Sequence, residues 1–531
     1  MTAPGPITGA RTLWELVERR ADASPDHPML LDAGGACLTF GGFRDRAAAV
    51  AAGLHARGLG EGSVVSWQLP TRIDTVVLST ALSRLGAVQN PIIHLYRERE
   101  VGFALAQTGS RLFAVQGEWR GTDYVALAGR ALEQQAGGAG PGPAILVVDE
   151  GLPEGNPATL PPPPAGVAAD DAPVRWIYYT SGSTADPKGV RHTDQTLIAG
   201  GRGLAVALDM SPDDVGSIAF PFAHIAGPDY LVTMLCLGFP AVLVEAFSVP
   251  DVLPLFRRHG VTMVGGSTAF YLAYLAEQRA RPGEPVLPTL RLMSGGGAAK
   301  PPEVHAEVRD EIGGRGVVHG YGMTEVPMIA NGSPHDTDEQ LANTDGRPVE
   351  GAEVRIARRD GSVAAAGEEG EIRVRGPMVF HGYTDPSLDG AAFDPDGFFR
   401  TGDLGLLRPD GHLVITGRLK DVIVRKGENI SATEVEALLY RHPKVAEVAV
   451  IGLPDPERGE RVCAVVELAA GAGGLGLAEL ADFCREAGLM TQKIPEQLEL
   501  RTSWPRAGTG KIVKKALREE YGAAPAGGPA R

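Results

Sequence analysis

The sequence predicts an α/β protein: a large N-terminal region of mostly parallel sheets with helices, then a β-rich section, then a small α+β C-terminal unit. Three observations carry this. Short runs such as Val64-Val65-Ser66-Trp67, Ala144-Ile145-Leu146-Val147-Val148 and Val261-Thr262-Met263-Val264 alternate with Ala/Gly-rich helical segments, the pattern of buried parallel strands joined by helices. From about Val354 the pattern changes to alternating strands with turns, as in Glu371-Ile372-Arg373-Val374-Arg375. At 531 residues the chain is too long for one compact unit, so two or more domains are expected.

In chain order, the Pro-rich stretch from Leu152 to Pro173, with Pro161 to Pro164, predicts a surface linker. Trp176-Ile177-Tyr178-Tyr179 predicts a buried strand. The apolar run from Tyr230 to Val244, broken by Gly238 and Pro240, is too short to cross a bilayer and predicts a buried helix and strand. After Lys420, Ser431-Ala432-Thr433-Glu434-Val435-Glu436 carries a helix-start signature, Val445 to Gly452 predicts a strand, and Leu477 to Glu486 a helix. The Ala/Gly/Pro tail from Gly522 to Arg531 predicts disorder. The expected division is 1–417, 418–521 and a tail of 522–531.

Hydrophobic content of 44% with 22% charged residues is that of a globular enzyme. A net charge of −15 argues against nonspecific binding to nucleic acid or an acidic membrane, so polyanionic ligands need local cations such as Lys188, Arg418 and Lys511. Cys37, Cys236, Cys463 and Cys484 show neither a Cys-x-x-Cys spacing nor a metal pattern, and buried reduced thiols in a cytoplasmic protein are expected. Met1 to Gly9 shows no charged segment followed by an apolar core, so no secretory signal is expected.

The most informative stretch is Thr180-Ser181-Gly182-Ser183-Thr184-Ala185-Asp186-Pro187-Lys188-Gly189, directly after the strand at Trp176. Exposed backbone N–H groups, several hydroxyls and one fixed cation suit a polyphosphate. It is not the common P-loop, which ends in Gly-Lys-Ser/Thr. Gly320-Tyr321-Gly322-Met323-Thr324-Glu325, Thr401-Gly402-Asp403, Gly417-Arg418-Leu419-Lys420-Asp421 and Pro505-Arg506-Ala507-Gly508-Thr509-Gly510-Lys511 follow in that order. Together these blocks resemble the adenylate-forming superfamily of acyl-CoA synthetases, luciferases and peptide-synthetase adenylation domains, over residues 10 to 520. Residues 84–91, Arg-Leu-Gly-Ala-Val-Gln-Asn-Pro, with Tyr96-Arg97-Glu98-Arg99-Glu100, resemble the cyclohexanecarboxylate-CoA ligase branch.

The resemblance implies a two-step reaction: acid plus ATP gives acyl-AMP and pyrophosphate, then CoA gives the thioester and AMP. It implies that Thr180 to Lys188 hold the β- and γ-phosphates, Thr324 the α-phosphate and Glu325 a Mg²⁺ ion, a hard cation preferring oxygen. Asp403 would accept from the ribose hydroxyls, with Arg418 in the same nucleotide site. Gly295-Gly296-Gly297-Ala298-Ala299 would let backbone approach adenine, and Tyr321 would stack on it beside Gly322 and Met323. Lys511 would offset charge in the adenylation transition state. Lys420 would be the hinge of a mobile C-terminal domain, whose rotation brings Lys426 and Gly427 to a pantetheine tunnel.

His224, Ile225, Gly227 and Gly296 would line the acyl pocket. Amino-acid-activating relatives carry Asp where His224 stands, so an acid without an α-amino group is expected, and the small Ala226, Gly227 and Gly266 suggest room for a bulky alicyclic acid. The chain departs from the family at Ala185, where glycine is usual. Alanine in a left-handed conformation costs about 1–2 kcal/mol. Two outcomes stay open. Either the loop shifts and adenylation survives, or the chain adenylates poorly and converts acyl-AMP supplied by a partner adenylating enzyme. A further alternative is loading of a separate carrier protein.

Overall fold

The computed structural model describes residues 5–134, 142–180, 187–298, 300–426, 428–506 and 512–522. The main N-terminal sheet has six strands in the order Lys188–His192, Trp176–Thr180, Val88–Pro91, Val64–Gln68, Leu112–Val115, Ala144–Val147. All neighbours run parallel except the first pair. A second sheet orders Met263–Gly266, Leu292–Gly296, Val317–Met323, Val326–Asn331 and Arg347–Pro348, its first three strands parallel. The central strands are short and buried on both faces, which accounts for their near-continuous apolar sequences, whereas the edge strand Ala144–Val147 is largely exposed. Trp67, Trp176, Tyr178 and Phe222 belong to one large core between helices and sheet.

The β-rich section is an antiparallel sheet of Glu353–Ala357, Gly370–Arg375, Phe399–Leu407 and Leu413–Arg418. The C-terminal segment forms its own sheet from Val422–Arg425, Glu428–Ser431, Val445–Asp455, Gly459–Leu468 and Gln497–Leu500. It has its own core of Ile423, Val435, Val450, Val466 and Leu480. Ser431 caps helix Ala432–Leu439, its side chain accepting from the Glu434 N–H, as the helix-start signature requires. Helix Leu477–Glu486 has the bounds the sequence predicts.

Three differences from the sequence expectations have physical reasons. The strand expected from Val261 begins at Met263, because the Val261 N–H bonds Phe256 O and the Thr262 N–H bonds Val215 O. Cys37 is exposed, on a three-residue strand at a sheet edge, while the other three thiols are buried. Gly522 ends the helix Lys514–Gly522, and the rest of the expected tail, 523–531, lies outside the described residues. Among the described residues no helix is long and apolar enough to cross a membrane.

Candidate active site

The strand Lys188–His192 is one side of the site. It pairs antiparallel with Trp176–Thr180, placing Lys188 opposite Thr180 and His192 opposite Trp176. Side chains alternate along a strand, so Lys188, Val190 and His192 share a face. The Lys188 ammonium lies 5.1 Å from the centre of the Tyr383 ring, within cation–π reach. Ser181, Gly182, Ser183, Thr184 and Ala185, which join these two strands in sequence, lie outside the described residues.

Opposite stands a hairpin of Val317–Met323 and Val326–Asn331, with Thr324 and Glu325 as its two-residue tip. The tip is pinned on both sides. His192 Nε2 donates to Thr324 O at 2.7 Å, and the Phe380 N–H donates to Glu325 O at 2.9 Å. Tyr383 OH donates to Glu325 Oε1 at 2.9 Å. Burial raises the Glu325 pKa above the usual carboxylate range, against the opposing pull of its hydrogen bonds and of Lys188. A carboxylate that is short of compensating charge in a desolvated place suits a divalent cation. Gly322 is glycine because a Cβ there would stand 2.1 Å from Pro327 O.

Tyr321, Asp403 and Arg418, far apart in sequence, meet. Tyr321 OH donates to Asp403 Oδ2 at 2.7 Å, and Arg418 Nε lies 2.9 Å from Asp403 Oδ1. Asp403 and Arg418 are direct partners in the antiparallel ladder, which fixes that pair through the backbone. The third arm is strand Leu292–Gly296. It includes Gly295 and Gly296 and leads into exposed Gly297 (φ +78°) and Ala298. Ala299 lies outside the described residues.

A small cleft opens beside Thr324, lined by Ile93, Tyr96, Tyr178, Ala223, His224 and Ile225 among others. His224 Nδ1 accepts from the Ala226 N–H at 3.2 Å at the start of helix Ala226–Leu237. The small residues nearby have another purpose than room for a bulky acid. A Cβ at Gly227 would stand 2.0 Å from Phe222 O, at Gly296 2.2 Å from Gly320 O, and at Gly266 2.6 Å from the Phe270 ring. Close backbone approach explains glycine at Gly227 and Gly296, and a positive φ of +149° under the Phe270 ring explains it at Gly266.

One helical turn past His224, buried Asp229 (2% exposed) has an Oδ1 with no hydrogen-bond partner, and burial raises its pKa to about 8. The folded carboxyl therefore keeps a proton that the unfolded one loses above its ordinary pKa of 3.8. Stability contributed here is greatest below that value and falls as pH rises toward about 8. Asp229→Asn should raise the unfolding midpoint at pH 8.5 by at least about 3 °C, given a free-energy gain of a few kcal/mol. The gain should be smaller at pH 5.5. A gain independent of pH in thermal melts would refute this account.

Past Arg418 the chain makes a short turn, Leu419–Asp421, before the C-terminal sheet. Burial lowers the Lys420 pKa, and Asp421 accepts from Arg518 Nη2 at 2.9 Å. Lys426 takes a left-handed conformation (φ +50°) in the turn after Val422–Arg425, with its N–H on Arg458 O. Gly427 and Lys511 lie outside the described residues, although Arg506 and Ile512 pair across 507–511. Sequence reasoning passed over His192, Tyr383 and Asp229. The alternation Lys-Gly-Val-Arg-His could have put His192 on the face of Lys188; nothing local marks Tyr383.

Fold and site define an adenylate-forming, AMP-releasing acid–thiol ligase. The chain belongs to the AMP-binding enzyme family, whose model matches residues 17–384, with the AMP-binding enzyme C-terminal domain matching 434–511. It is 34% identical over 510 residues to a feruloyl-CoA synthase from Amycolatopsis sp, covering 95% of this chain and 98% of that protein. It is 33% identical over 530 residues to a salicyl-AMP ligase / salicyl-S-ArCP synthetase from Mycobacterium tuberculosis, covering 97% and 91%. Its fold matches o-succinylbenzoate coenzyme A synthetase from Bacillus subtilis in complex with ATP and magnesium ion. There the TM-score is 0.79 at 28% identity, over 94% of this chain and 98% of that one.

Proposed function

We propose that this chain joins a ring-bearing carboxylic acid without an α-amino group to CoA, through an acyl-AMP intermediate. The supporting observation is the cleft beside Thr324. Among the described residues its lining is tyrosine, aliphatic side chains, Thr324 and His224, with no carboxylate to meet an ammonium group. Relatives named for feruloyl and salicyl substrates support a ring; the resemblance of residues 84–100 supports an alicyclic one.

In the first step a carboxylate oxygen of the acid attacks the α-phosphorus and pyrophosphate leaves. In the second a CoA thiolate attacks the acyl carbon and AMP leaves. Thr180 and Lys188 hold the outgoing phosphates and Thr324 the α-phosphate. Asp403, with Arg418, takes the ribose, and Tyr321 faces the base over Gly297 and Ala298. Glu325 would hold Mg²⁺, which neutralises phosphate charge when bound. Lys511 serves the first step, while Lys420 turns the unit from about 418 onward so that Lys426 and Gly427 serve the second.

Purified protein given a panel of ring-bearing, fatty and amino acids with ATP and Mg²⁺ should form acyl-CoA from ring acids. Thioester formed only on a phosphopantetheinyl carrier would favour carrier loading, the activity in the name of the 33%-identical salicyl relative. No acyl product from any acid would sink the ligase proposal. Ala185 motivates one further comparison. If its methyl impedes the polyphosphate, Ala185→Gly should raise acid-dependent pyrophosphate exchange about tenfold and leave thioester formation from synthetic acyl-AMP unchanged. Brisk exchange by the unaltered protein would show that the alanine is tolerated.

A further inference from the structure

We infer that His192 is a positioning residue that sets the height of the Thr324–Glu325 tip, and with it the phosphate subsite. The ring is completely buried, and both of its nitrogens are engaged. Thr324 O can only accept, so Nε2 carries the proton and donates to it at 2.7 Å. Nδ1 is 2.9 Å from Thr196 Oγ1; with the proton on Nε2 it can only accept there, and it shares the single Thr196 hydroxyl proton with Thr193 O, also 2.9 Å from that oxygen. Thr196 is itself fixed in the first turn of helix Asp194–Leu208, where it forms a capping box with Thr193. The Tyr178 ring packs edge-on against the imidazole, with ring centres 6.4 Å apart.

The chain of contacts runs from a helix start, through the imidazole, to the main chain of the residue proposed to hold the α-phosphate. A two-residue tip has few backbone contacts of its own to fix its height. Glu325 O has the Phe380 N–H and Thr324 O has His192. Removing the imidazole leaves Thr324 O without its donor and lets that side of the tip rise. Burial also lowers the His192 pKa to about 4, which keeps the ring neutral in ordinary buffers.

The inference rests on the proposed placement of AMP, and the test separates the two. Calorimetry compares AMP with adenosine on the whole chain; the ratio of their affinities reads the phosphate subsite alone. His192→Leu should weaken AMP about tenfold, the worth of one buried hydrogen bond, and leave adenosine within twofold. His192→Gln, whose amide can donate to Thr324 O, should recover most of the loss. Thr196→Val, which removes the donor to Nδ1, should weaken AMP selectively and less, and carries the test if His192→Leu does not fold. Equal weakening of AMP and adenosine, or an unchanged ratio in these variants, overturns the positioning role. Unaltered protein that does not prefer AMP to adenosine overturns the nucleotide placement instead.

Discussion

Glu325→Gln should lower acid-dependent pyrophosphate exchange by about 10²–10³-fold, the scale seen when one preorganised electrostatic group is removed from a transition state. The amide keeps the shape of the side chain and can still accept from Tyr383 OH, 2.9 Å away, so the tip stays in place. Only the charge goes. That charge sits where burial works against it, and it is held there by the Phe380 N–H on its main chain and by Tyr383 on its side chain. A carboxylate fixed in this way fits the proposed role of holding a cation. Thioester formation from synthetic acyl-AMP, which carries neither β- nor γ-phosphate, should change by less than about threefold. A loss of equal size in both half-reactions would mean that Glu325 supports the fold rather than the metal.

Lys511→Ala should produce the second large loss, about 10²–10³-fold in adenylation, with thioester formation spared. The lysine follows Gly508-Thr509-Gly510, and the pairing of Arg506 with Ile512 closes the base of this stretch. Val513 N–H on Pro505 O and the Lys514–Glu436 ion pair at 2.7 Å tie its far side to the C-terminal core. The described residues on either side are thus anchored, and the substitution removes a charge without touching their contacts. Single-turnover measurements of each half-reaction check it. If the alanine variant loses both steps together, the lysine does not belong to adenylation alone.

Much of the site was legible in the sequence because its parts lie in short contiguous blocks. Thr324 and Glu325 share one hairpin tip, and Asp403 and Arg418 one ladder register. The α/β pattern was legible for the same reason, since strand and helix periodicity are local. What was not legible depends on contacts between blocks. His192 reaches a carbonyl 132 residues away, and Tyr383 reaches Glu325 across 58. Neither residue type is unusual at its own position. The glycines misled for a related reason: Gly227 and Gly266 look like space in a sequence, whereas a Cβ at the first would meet the Phe222 backbone and at the second the Phe270 ring. Asp229 lies on a helix where an acidic residue normally reads as solvated, and only its burial shows otherwise.

The strand Lys188–His192 carries one contact at each end, Lys188 to Tyr383 and His192 to Thr324, about 13 Å apart at the usual strand rise. Five backbone pairings with Trp176–Thr180 make it stiff between them. Lys188 and the hairpin tip are thus mounted on one beam, and neither can be retuned without moving the other. The residues at His224 and Ile225 hang from a different element, the start of helix Ala226–Leu237. On the proposed function, substitution there would change which acid enters while the beam stays fixed, so substrate range and phosphate chemistry would be free to diverge independently.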